Sequence, residues 1–384
     1  MSQQIKEVSL SRKLINVEDY RQQAKAVLPR IIFDYLDGGA EDEKGLKLNR
    51  SVFDEWLFKP KRFIDISHRD ISCNLFNKKW DAPFAIAPTG LNSSFWPKGD
   101  FLLAKSAAKA NIPFILSTAS NMSIEEVAQS CDGEKWFQLY VVHEDLAVQM
   151  VRRAHKAGYT TLIITLDVGI NGYRERDIRN EFGLPLRFSP SLVIDGMMHP
   201  AWTLRFIRAG MPQLANFITS ENHSLEVQAA LMSRQMDTRF NLESLKRIRE
   251  LWPHTLLVKG IVRAEDAQSA INYGADGVIL SNHGGRQLDC SVSPMETLHD
   301  VSNSIDRPVL IDSGFRRGSD IVKALCLGAS MVCLGRTTLY GLAAKGEVGV
   351  NEVIQLLKKD VDRTLAQIGC VSVKQLDTQF ITRR

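Results

Sequence analysis

Short apolar runs alternate along this chain with stretches in which apolar residues recur at helical spacing. From residue 81 onward we count eight such runs, each rich in β-branched or aromatic side chains. The runs begin at Phe84, Pro113, Lys135, Thr161, Thr255, Gly277, Pro308 and Met331. Successive starts lie 22 to 31 residues apart, except for one gap of 94 residues, so each shorter interval holds one strand and one helix. The pattern predicts an α/β fold, and eight strand–helix units favour a closed (β/α)8 TIM barrel.

Two regions depart from this repeat. Residues 1–80 carry helical patterns interrupted at Pro29, and they predict an N-terminal helical cover on a barrel of residues 81–384 within one domain. The fourth strand is followed by an insertion, residues 169–240, of a length that is uncommon unless a loop has a function. Within it, residues 186–220 combine apolar side chains with arginines, which indicates a segment that binds a membrane surface. A lid or a subunit contact explains the same features equally well.

Composition narrows the classes of function. The chain has 384 residues, of which 44% are hydrophobic and 24% charged, as in an ordinary globular protein. Its net charge of +4 is too small to indicate a nucleic-acid partner. No stretch approaches the roughly 18 consecutive apolar residues of a spanning helix, and the N-terminal residues are charged throughout, so we expect neither a membrane crossing nor a secretory signal. The six cysteines show no regular spacing and predict buried small residues in a reducing compartment.

Polar side chains end nearly every apolar run, which is where a barrel places its active site. At the last two predicted strands, Gly314 with Arg316 and Gly335 with Arg336 indicate a phosphate site. Glycines permit close backbone approach there, and guanidinium groups bind anions. Lys259 ends an apolar strand, where an unpaired ammonium group is costly. It could form a Schiff base with a carbonyl substrate, as in an aldolase, or remain protonated and stabilise an anionic cofactor ring.

The stretch SNHGGRQLD brings a proton acceptor and a carboxylate binder into one glycine-rich turn. His283 would act as the base, and Arg286 would bind an anionic acid substrate. Asp167, at the end of the fourth strand, could orient the imidazole. A second arginine, Arg174, follows at the start of the insertion. The histidines show no metal-ligand spacing, so the sequence predicts no metal site.

Motifs spread nearly from end to end make the chain similar to a known family. They are NVEDY, DYLDGGAED, APTG, LSTAS, WFQLYV, LVKG, SNHGGRQLD, DSGFRRG and LGR. Together they resemble the FMN-dependent α-hydroxy-acid dehydrogenases and oxidases, and SNHGGRQLD is the most specific of them. Within that family, NGYRERD and HPAWTLRFIRAGMPQLANF are most similar to the membrane-associated bacterial members that act on (S)-mandelate.

The resemblance implies a role for each candidate residue. The residues implied for catalysis are His283, Asp167, Tyr140 and Arg286. Those implied for substrate binding are Tyr35, Ala119, Tyr140, Arg174, His283 and Arg286. Those implied for FMN binding are Pro88, Thr89, Gly90, Ser117, Gln138, Thr165, Lys259, Ser281, Asp312, Gly314, Arg316, Gly335 and Arg336. In this scheme His283 removes a proton from the substrate, and Lys259 favours the reduced flavin anion instead of forming a Schiff base.

The resemblance also implies the substrate, the electron acceptor and the setting. Ala119 stands where glycolate oxidases carry a bulky tryptophan, which leaves room for a phenyl group and favours oxidation of (S)-mandelate to benzoylformate over L-lactate, the alternative. Gly90 and the insertion resemble those of dehydrogenases, so the expected acceptor is a membrane quinone. We expect a homotetramer bound peripherally, through residues 186–220, at the cytoplasmic face of the inner membrane. The alternatives of other classes are an aldolase that uses Lys259 and a non-catalytic FMN-binding barrel.

Overall fold

Helices and short strands precede the barrel in the structure, a computed structural model that describes residues 13–183, 190–217 and 237–384. They are helices α1 (Val17–Val27), α2 (Arg30–Asp37) and α3 (Lys44–Ser51), and strands β1 (Trp56–Phe58), β2 (Cys73–Leu75) and β3 (Lys78–Trp80). The side chain of Asn16 caps the start of α1, and Pro29 precedes α2. The helical pattern interrupted at Pro29 is therefore confirmed. Helix α3 and the β2–β3 hairpin were not predicted, because both are short and lack a clear periodic pattern.

The barrel consists of eight parallel strands. They are β4 (Phe84–Ile86), β5 (Phe114–Ser117), β6 (Lys135–Leu139), β7 (Thr161–Thr165), β8 (Thr255–Ile261), β9 (Gly277–Leu280), β10 (Val309–Ile311) and β11 (Met331–Leu334). Each strand pairs with the next in the chain, and β11 pairs back with β4, so the barrel is closed. The registers place Ser117 opposite Gln138 and Thr165 opposite Lys259. The TIM-barrel prediction is confirmed, and the polar strand ends share one opening.

The remaining helices lie outside the barrel or in the insertion. They are α4 (Gly99–Ala110), α5 (Ile124–Ser130), α6 (Glu144–Lys156), α7 (Glu175–Arg179), α8 (Pro190–Met198), α9 (Pro200–Ala209), α10 (Leu242–Leu251), α11 (Ala264–Asn272), α12 (Pro294–Ser304), α13 (Gly318–Cys326), α14 (Arg336–Lys345) and α15 (Glu347–Ile368). Helix α14 packs against both α1 and α15. A last strand, β12 (Ile381–Arg383), pairs antiparallel with β1. The N-terminal cover is thus attached to the C-terminal part of the chain.

The insertion after β7 holds α7, α8 and α9. Trp202 of α9 is buried, and its indole N–H donates to the carbonyl of Ser94 over 2.9 Å, which fixes α9 to the loop after β4. Other apolar side chains of this pair of helices face outward. Met197, Met198 and Ile207 are exposed by 66%, 68% and 70%. The insertion therefore has one side docked on the barrel and another that presents apolar surface.

Part of the segment predicted to bind a membrane surface lies outside the described residues. These parts are residues 186–189, which include Arg187 and Phe188, and residues 218–220. Among the residues that the structure does describe, we find no helix that combines the length and the apolar character needed to cross a membrane.

The cysteine prediction needs one correction. Cys73, Cys326, Cys333 and Cys370 are buried, and burial raises the pKa of each of these thiols. Cys131 is half-buried. Cys290 is exposed in the loop after β9, so the prediction of a buried residue is wrong at that position.

Candidate active site

The carboxyl ends of the barrel strands enclose a cavity of about 520 Å³. Most of the predicted site residues line it. They are Tyr35, Pro88, Thr89, Gly90, Ser117, Ala119, Tyr140, Arg174, Lys259, His283, Arg286, Asp312, Gly314, Arg316, Gly335 and Arg336. The other four, Gln138, Thr165, Asp167 and Ser281, lie behind the lining and are joined to it by hydrogen bonds. The structure thus brings the predicted residues together in two layers.

His283 faces the cavity from the turn after β9. Its Nδ1 lies 3.1 Å from Oδ1 of Asp167, and its Nε2 lies 3.3 Å from the hydroxyl of Tyr140. Because the carboxylate accepts a hydrogen bond from Nδ1, the lone pair of the neutral ring lies on Nε2. Burial lowers the pKa of His283, and the charge of Asp167 opposes that shift. The ring is therefore neutral at pH 7 and oriented to accept a proton at Nε2.

Buried charges in and behind the cavity wall keep one another ionised. Burial favours a neutral Lys259, but the carboxylates of Asp312 and Asp167 raise its pKa above the ordinary lysine value. The Nζ atom lies 3.1 Å from Oδ2 of Asp312 and donates to Oγ of Ser281 over 2.7 Å. Burial also opposes ionisation of Asp167, yet His283 and Lys259 lower the pKa of this carboxyl to about 2. A Schiff base needs a neutral amine, so the protonated lysine disfavours the aldolase alternative.

A row of hydrogen bonds joins the ends of β5, β6 and β7. The hydroxyl of Ser117 donates to Oε1 of Gln138 over 3.0 Å, and Nε2 of Gln138 donates to Oγ1 of Thr165 over 3.0 Å. The backbone N–H of Ala119 donates to Oγ of Ser117 over 3.1 Å. Of the three polar side chains in the row, Ser117 reaches the cavity lining. The hydrogen bonds that involve Gln138 and Thr165 therefore support the orientation of the Ser117 side chain.

Two arginines share one carboxylate at the cavity wall. Nε of Arg174 and Nη2 of Arg286 lie 3.6 and 3.8 Å from Oδ2 of Asp177. Nη1 of Arg286 donates to the carbonyls of Tyr35 and Gly38 over 2.7 and 2.9 Å. Two guanidinium groups facing one carboxylate leave a net positive charge, which suits a substrate carboxylate. Asp177 was not predicted, although it follows Arg174 by three residues, close to one helical turn.

A third arginine is held by main-chain carbonyls. Arg336 donates to the carbonyl oxygens of Leu36, Gly38 and Gly284 over 3.0, 2.6 and 2.8 Å. Burial and the neighbouring charge of Arg286 lower the pKa of Arg336 to about 10, so its guanidinium group stays charged at neutral pH. The cavity therefore carries positive charge at this end as well.

The cavity end beside α14 has the features of a phosphate site. Gly335 precedes α14, and within the described residues no side chain caps this helix, so its first N–H groups can bind an anion. Among the described residues other than its chain neighbours, the nearest atom to a Cβ built on Gly335 is Cγ2 of Thr89 at 3.9 Å, so this position opens onto the cavity. Gly314 has a φ of +90°, and a Cβ there would collide with the carbonyl of Asn49. With the polar row and Lys259, the cavity fits a flat polar ring that carries a phosphate tail, as FMN does.

The insertion contributes an apolar wall to the cavity that the sequence pattern did not predict. Phe182, Leu214 and Phe217 line the cavity. The ring of Phe182 stacks on that of Tyr35, with centroids 4.3 Å apart. The apolar residues of the insertion are the signal in the sequence, but without the fold they could equally belong to a membrane-binding surface or to a lid.

The sequence profile of the FMN-dependent dehydrogenases matches residues 24–383. The chain belongs to the FMN-dependent dehydrogenase family, and FMN is its cofactor. The resemblance and the cofactor predicted from the motifs are thereby confirmed.

Its relatives include (S)-mandelate dehydrogenase of Pseudomonas putida, which is 60% identical over 97% of this chain and 95% of that protein. The crystal structure of the monotopic membrane protein (S)-mandelate dehydrogenase aligns with a TM-score of 0.95 at 60% identity, covering 97% of this chain and all of the other. L-lactate dehydrogenase of Vibrio parahaemolyticus is 35% identical over 95% of this chain and 98% of that protein. The chain is therefore an FMN-dependent homologue of (S)-mandelate dehydrogenase.

Proposed function

We propose that this protein oxidises (S)-mandelate to benzoylformate, with FMN as the immediate electron acceptor. One observation carries the proposal: the imidazole of His283, the hydroxyl of Tyr140 and two guanidinium groups face a single cavity. Oxidation of a 2-hydroxy acid requires a base, a partner for the hydroxyl oxygen and a carboxylate clamp. The name of the 60% identical relative supports mandelate as the acid.

The side chains divide the work on the substrate. Arg174 and Arg286 hold the carboxylate, and this anchoring fixes the α-carbon and thereby the enantiomer that reacts. The hydroxyl of Tyr140 and Nε2 of His283 lie 3.3 Å apart, so both can contact a substrate hydroxyl group bound against the pair. His283 accepts a proton from the substrate, and Asp167 stabilises the imidazolium that results.

FMN supplies the two-electron acceptor when it is bound. Ser117, Thr89 and Gly90 would hold its ring from the ends of β4 and β5, and the positive charge of Lys259 would favour negative charge on the ring. The phosphate would lie at the start of α14, near Arg316 and Arg336. Pro88, Asp312, Gly314 and Gly335 belong to the same proposed cofactor lining. Gln138, Thr165 and Ser281, which are hydrogen-bonded to this lining, complete the proposed FMN site.

The apolar part of the cavity suits an aromatic side chain. Ala119 has a small side chain and lines the cavity beside Gly90. Phe182, Leu214 and Phe217 provide apolar surface in the same lining. A phenyl group can be buried against these residues, whereas the methyl group of lactate would leave part of this surface uncovered.

An anaerobic absorbance experiment tests the proposed reaction. The FMN-loaded protein is mixed separately with (S)-mandelate, (R)-mandelate, L-lactate and glycolate, and loss of the oxidised flavin absorbance is followed. We expect the fastest bleaching with (S)-mandelate, slower bleaching with L-lactate and none with the (R) acid. Faster bleaching by L-lactate would assign the protein to lactate oxidation instead. No bleaching by any acid would contradict the proposed class of substrate.

We also propose that α8 and α9 bind a membrane surface peripherally and that a membrane quinone accepts the electrons. The exposed apolar side chains of these helices support a membrane contact. A relative of known structure is described as a monotopic membrane protein, which supports the same assignment. The cytoplasmic face of the inner membrane and a homotetrameric assembly stay predictions from the resemblance. Light scattering coupled to size-exclusion chromatography tests the assembly.

A further inference from the structure

A fully buried carboxylate lies outside the proposed catalytic set. Asp100, in the first turn of α4, has no exposed surface. Within the described residues its partners are amide and hydroxyl donors rather than a lysine or an arginine. Burial raises the pKa of Asp100 to about 6, against the opposing effect of these hydrogen bonds. An isolated charge in a protein interior is costly, so its contacts indicate what it does there.

The first oxygen of Asp100 reaches the loop that follows β4. Oδ1 accepts from Nδ2 of Asn92 over 2.7 Å. Asn92 in turn binds Thr89 twice: its Oδ1 accepts from the threonine hydroxyl over 3.0 Å, and its Nδ2 donates to the threonine carbonyl over 3.1 Å. Through Asn92, the carboxylate is therefore connected to Thr89, which lies in the loop that contributes Thr89 and Gly90 to the cavity.

The second oxygen of Asp100 reaches the loop that follows β5. Oδ2 accepts from the backbone N–H of Asn121 over 3.1 Å. The side chain of Asn121 accepts from the backbone N–H of Ser93 over 2.9 Å and donates to the carbonyl of Gln213 over 2.8 Å. Gln213 immediately precedes Leu214, which lines the cavity. The same carboxylate thus also connects to Gln213 and Leu214, which form the inner edge of the insertion.

The connected loops touch at the wall of the cavity. A Cβ built on Gly90 would lie 2.9 Å from Cβ of Ala119, and the backbone N–H of Leu91 donates to the carbonyl of Ala119 over 3.1 Å. The positions of Gly90, Ala119 and Leu214 relative to one another therefore depend on the hydrogen bonds that converge on Asp100.

We propose that Asp100 is a positioning residue that sets the shape of the pocket for the substrate side chain. It does so by holding the β4 loop, the β5 loop and the inner edge of the insertion in one arrangement. The proposal rests on the proposed function for the acids used in its test. It does not make Asp100 a catalytic residue, because this carboxylate contacts neither the cavity nor His283.

The substitution Asp100→Asn tests this role. An amide has one acceptor oxygen, so its NH₂ group must face a donor from either Asn92 or Asn121, and one of the two connections is lost. We expect the ratio of kcat/KM for (S)-mandelate to that for L-lactate to fall about tenfold in the FMN-loaded variant. A second readout needs no turnover. The affinities for benzoylformate and pyruvate are measured from the perturbation of flavin absorbance, and the ratio of these two affinities should move towards one.

The control is Asp266→Asn, which removes an exposed acidic residue from the first turn of α11. Both ratios should stay at the wild-type value in this variant. If Asp100→Asn with full FMN content keeps both ratios within twofold of wild type, the proposal is overturned. If that variant does not fold, Asn121→Ala cuts the connections to Ser93 and Gln213 while leaving Asp100 intact.

Asn121→Ala should shift both ratios in the same direction, and unchanged ratios would overturn the proposal. Failure of the proposed function is recognised separately, because wild-type protein would then not bleach with (S)-mandelate. In that case the ratio is taken between the acid that bleaches wild type fastest and glycolate, and the same two outcomes apply.

Discussion

The imidazole of His283 must be neutral to accept a proton, so its pairing with Asp167 links activity to pH. Burial lowers the pKa of His283 below its ordinary value of 6.5. As pH falls through this lowered pKa, the ring gains a proton and the base is lost. We therefore expect kcat/KM for the substrate to be constant above pH 6.5 and to fall only at lower pH. A decline that begins above pH 7 would contradict this arrangement.

Asp167→Asn tests the carboxylate of the pair. The charge of Asp167 raises the pKa of His283, so the amide should move the acidic decline of kcat/KM to lower pH. The plateau should fall by about a hundredfold, because the imidazolium formed during the reaction loses its stabilising charge. Initial rates between pH 5 and pH 9 measure both effects. Asp306→Asn, at a side chain exposed by 91%, is the control that should change neither.

Ala119 is the residue at which substrate size is most directly tested. Ala119→Trp would fill the space beside Gly90 with an indole, so kcat/KM for (S)-mandelate should fall at least about tenfold. The value for glycolate should fall less, since its side chain is a hydrogen atom. Steady-state rates at matched FMN content give the comparison. Equal losses for both acids would show that Ala119 does not contact the side chain of the substrate.

Among the elements, α2 connects α1 of the N-terminal cover to α14 through the side chain of Asp37. Asp37 at its end accepts from Nε and Nη2 of Arg21 over 2.7 and 2.8 Å and from the hydroxyl of Tyr340 over 2.7 Å. Burial alone would raise the pKa of Asp37, but these hydrogen bonds outweigh it and lower the pKa to about 2. The depressed pKa means that the ionised carboxylate stabilises the folded state.

Asp37→Asn should therefore lower the free energy of unfolding at pH 7 by about 2 kcal/mol. Because the folded pKa lies below the ordinary value of 3.8, this stabilisation is complete above about pH 5 and is progressively lost as pH falls towards 2. Urea unfolding at several pH values measures the difference. Tyr340→Phe removes one hydrogen bond from Asp37 and should cost about 1 kcal/mol. A difference that stays constant down to pH 2 would show that the loss has another cause.

For the molecule as a whole, the exposed apolar surface of α8 can be tested without touching the cavity. Replacing Met197 and Met198 by Ser should weaken binding to anionic lipid vesicles about tenfold, because both side chains are about two-thirds exposed. Oxidation of (S)-mandelate with a soluble dye should be unchanged. Flotation assays measure the partition. Val348→Ser removes an apolar side chain exposed by 59% on α15 and should leave vesicle binding at the wild-type level.

The sequence predicted what depends on local pattern. The barrel strands follow from apolar runs, and Lys259 and His283 were recognisable because each is a polar residue at the end of such a run. Asp177 and Asp100 were not recognised, because their roles arise from contacts between segments far apart in the chain. The prediction of burial is wrong at Cys290, because burial depends on packing between elements and not on residue type alone.

Main-chain oxygens of α2 and of Gly38 after it accept hydrogen bonds from Arg286 and Arg336, and every amino acid supplies such an oxygen. Alanine substitutions along this helix would detect the side chains of Tyr35 and Asp37. They would overlook the main-chain carbonyls of Tyr35, Leu36 and Gly38, which accept hydrogen bonds from the two guanidinium groups. A truncation that left only the barrel would remove this helix and, with it, the carbonyl groups that orient Arg286 and Arg336. The N-terminal cover therefore shapes the cavity through its main chain as well as through the side chain of Tyr35.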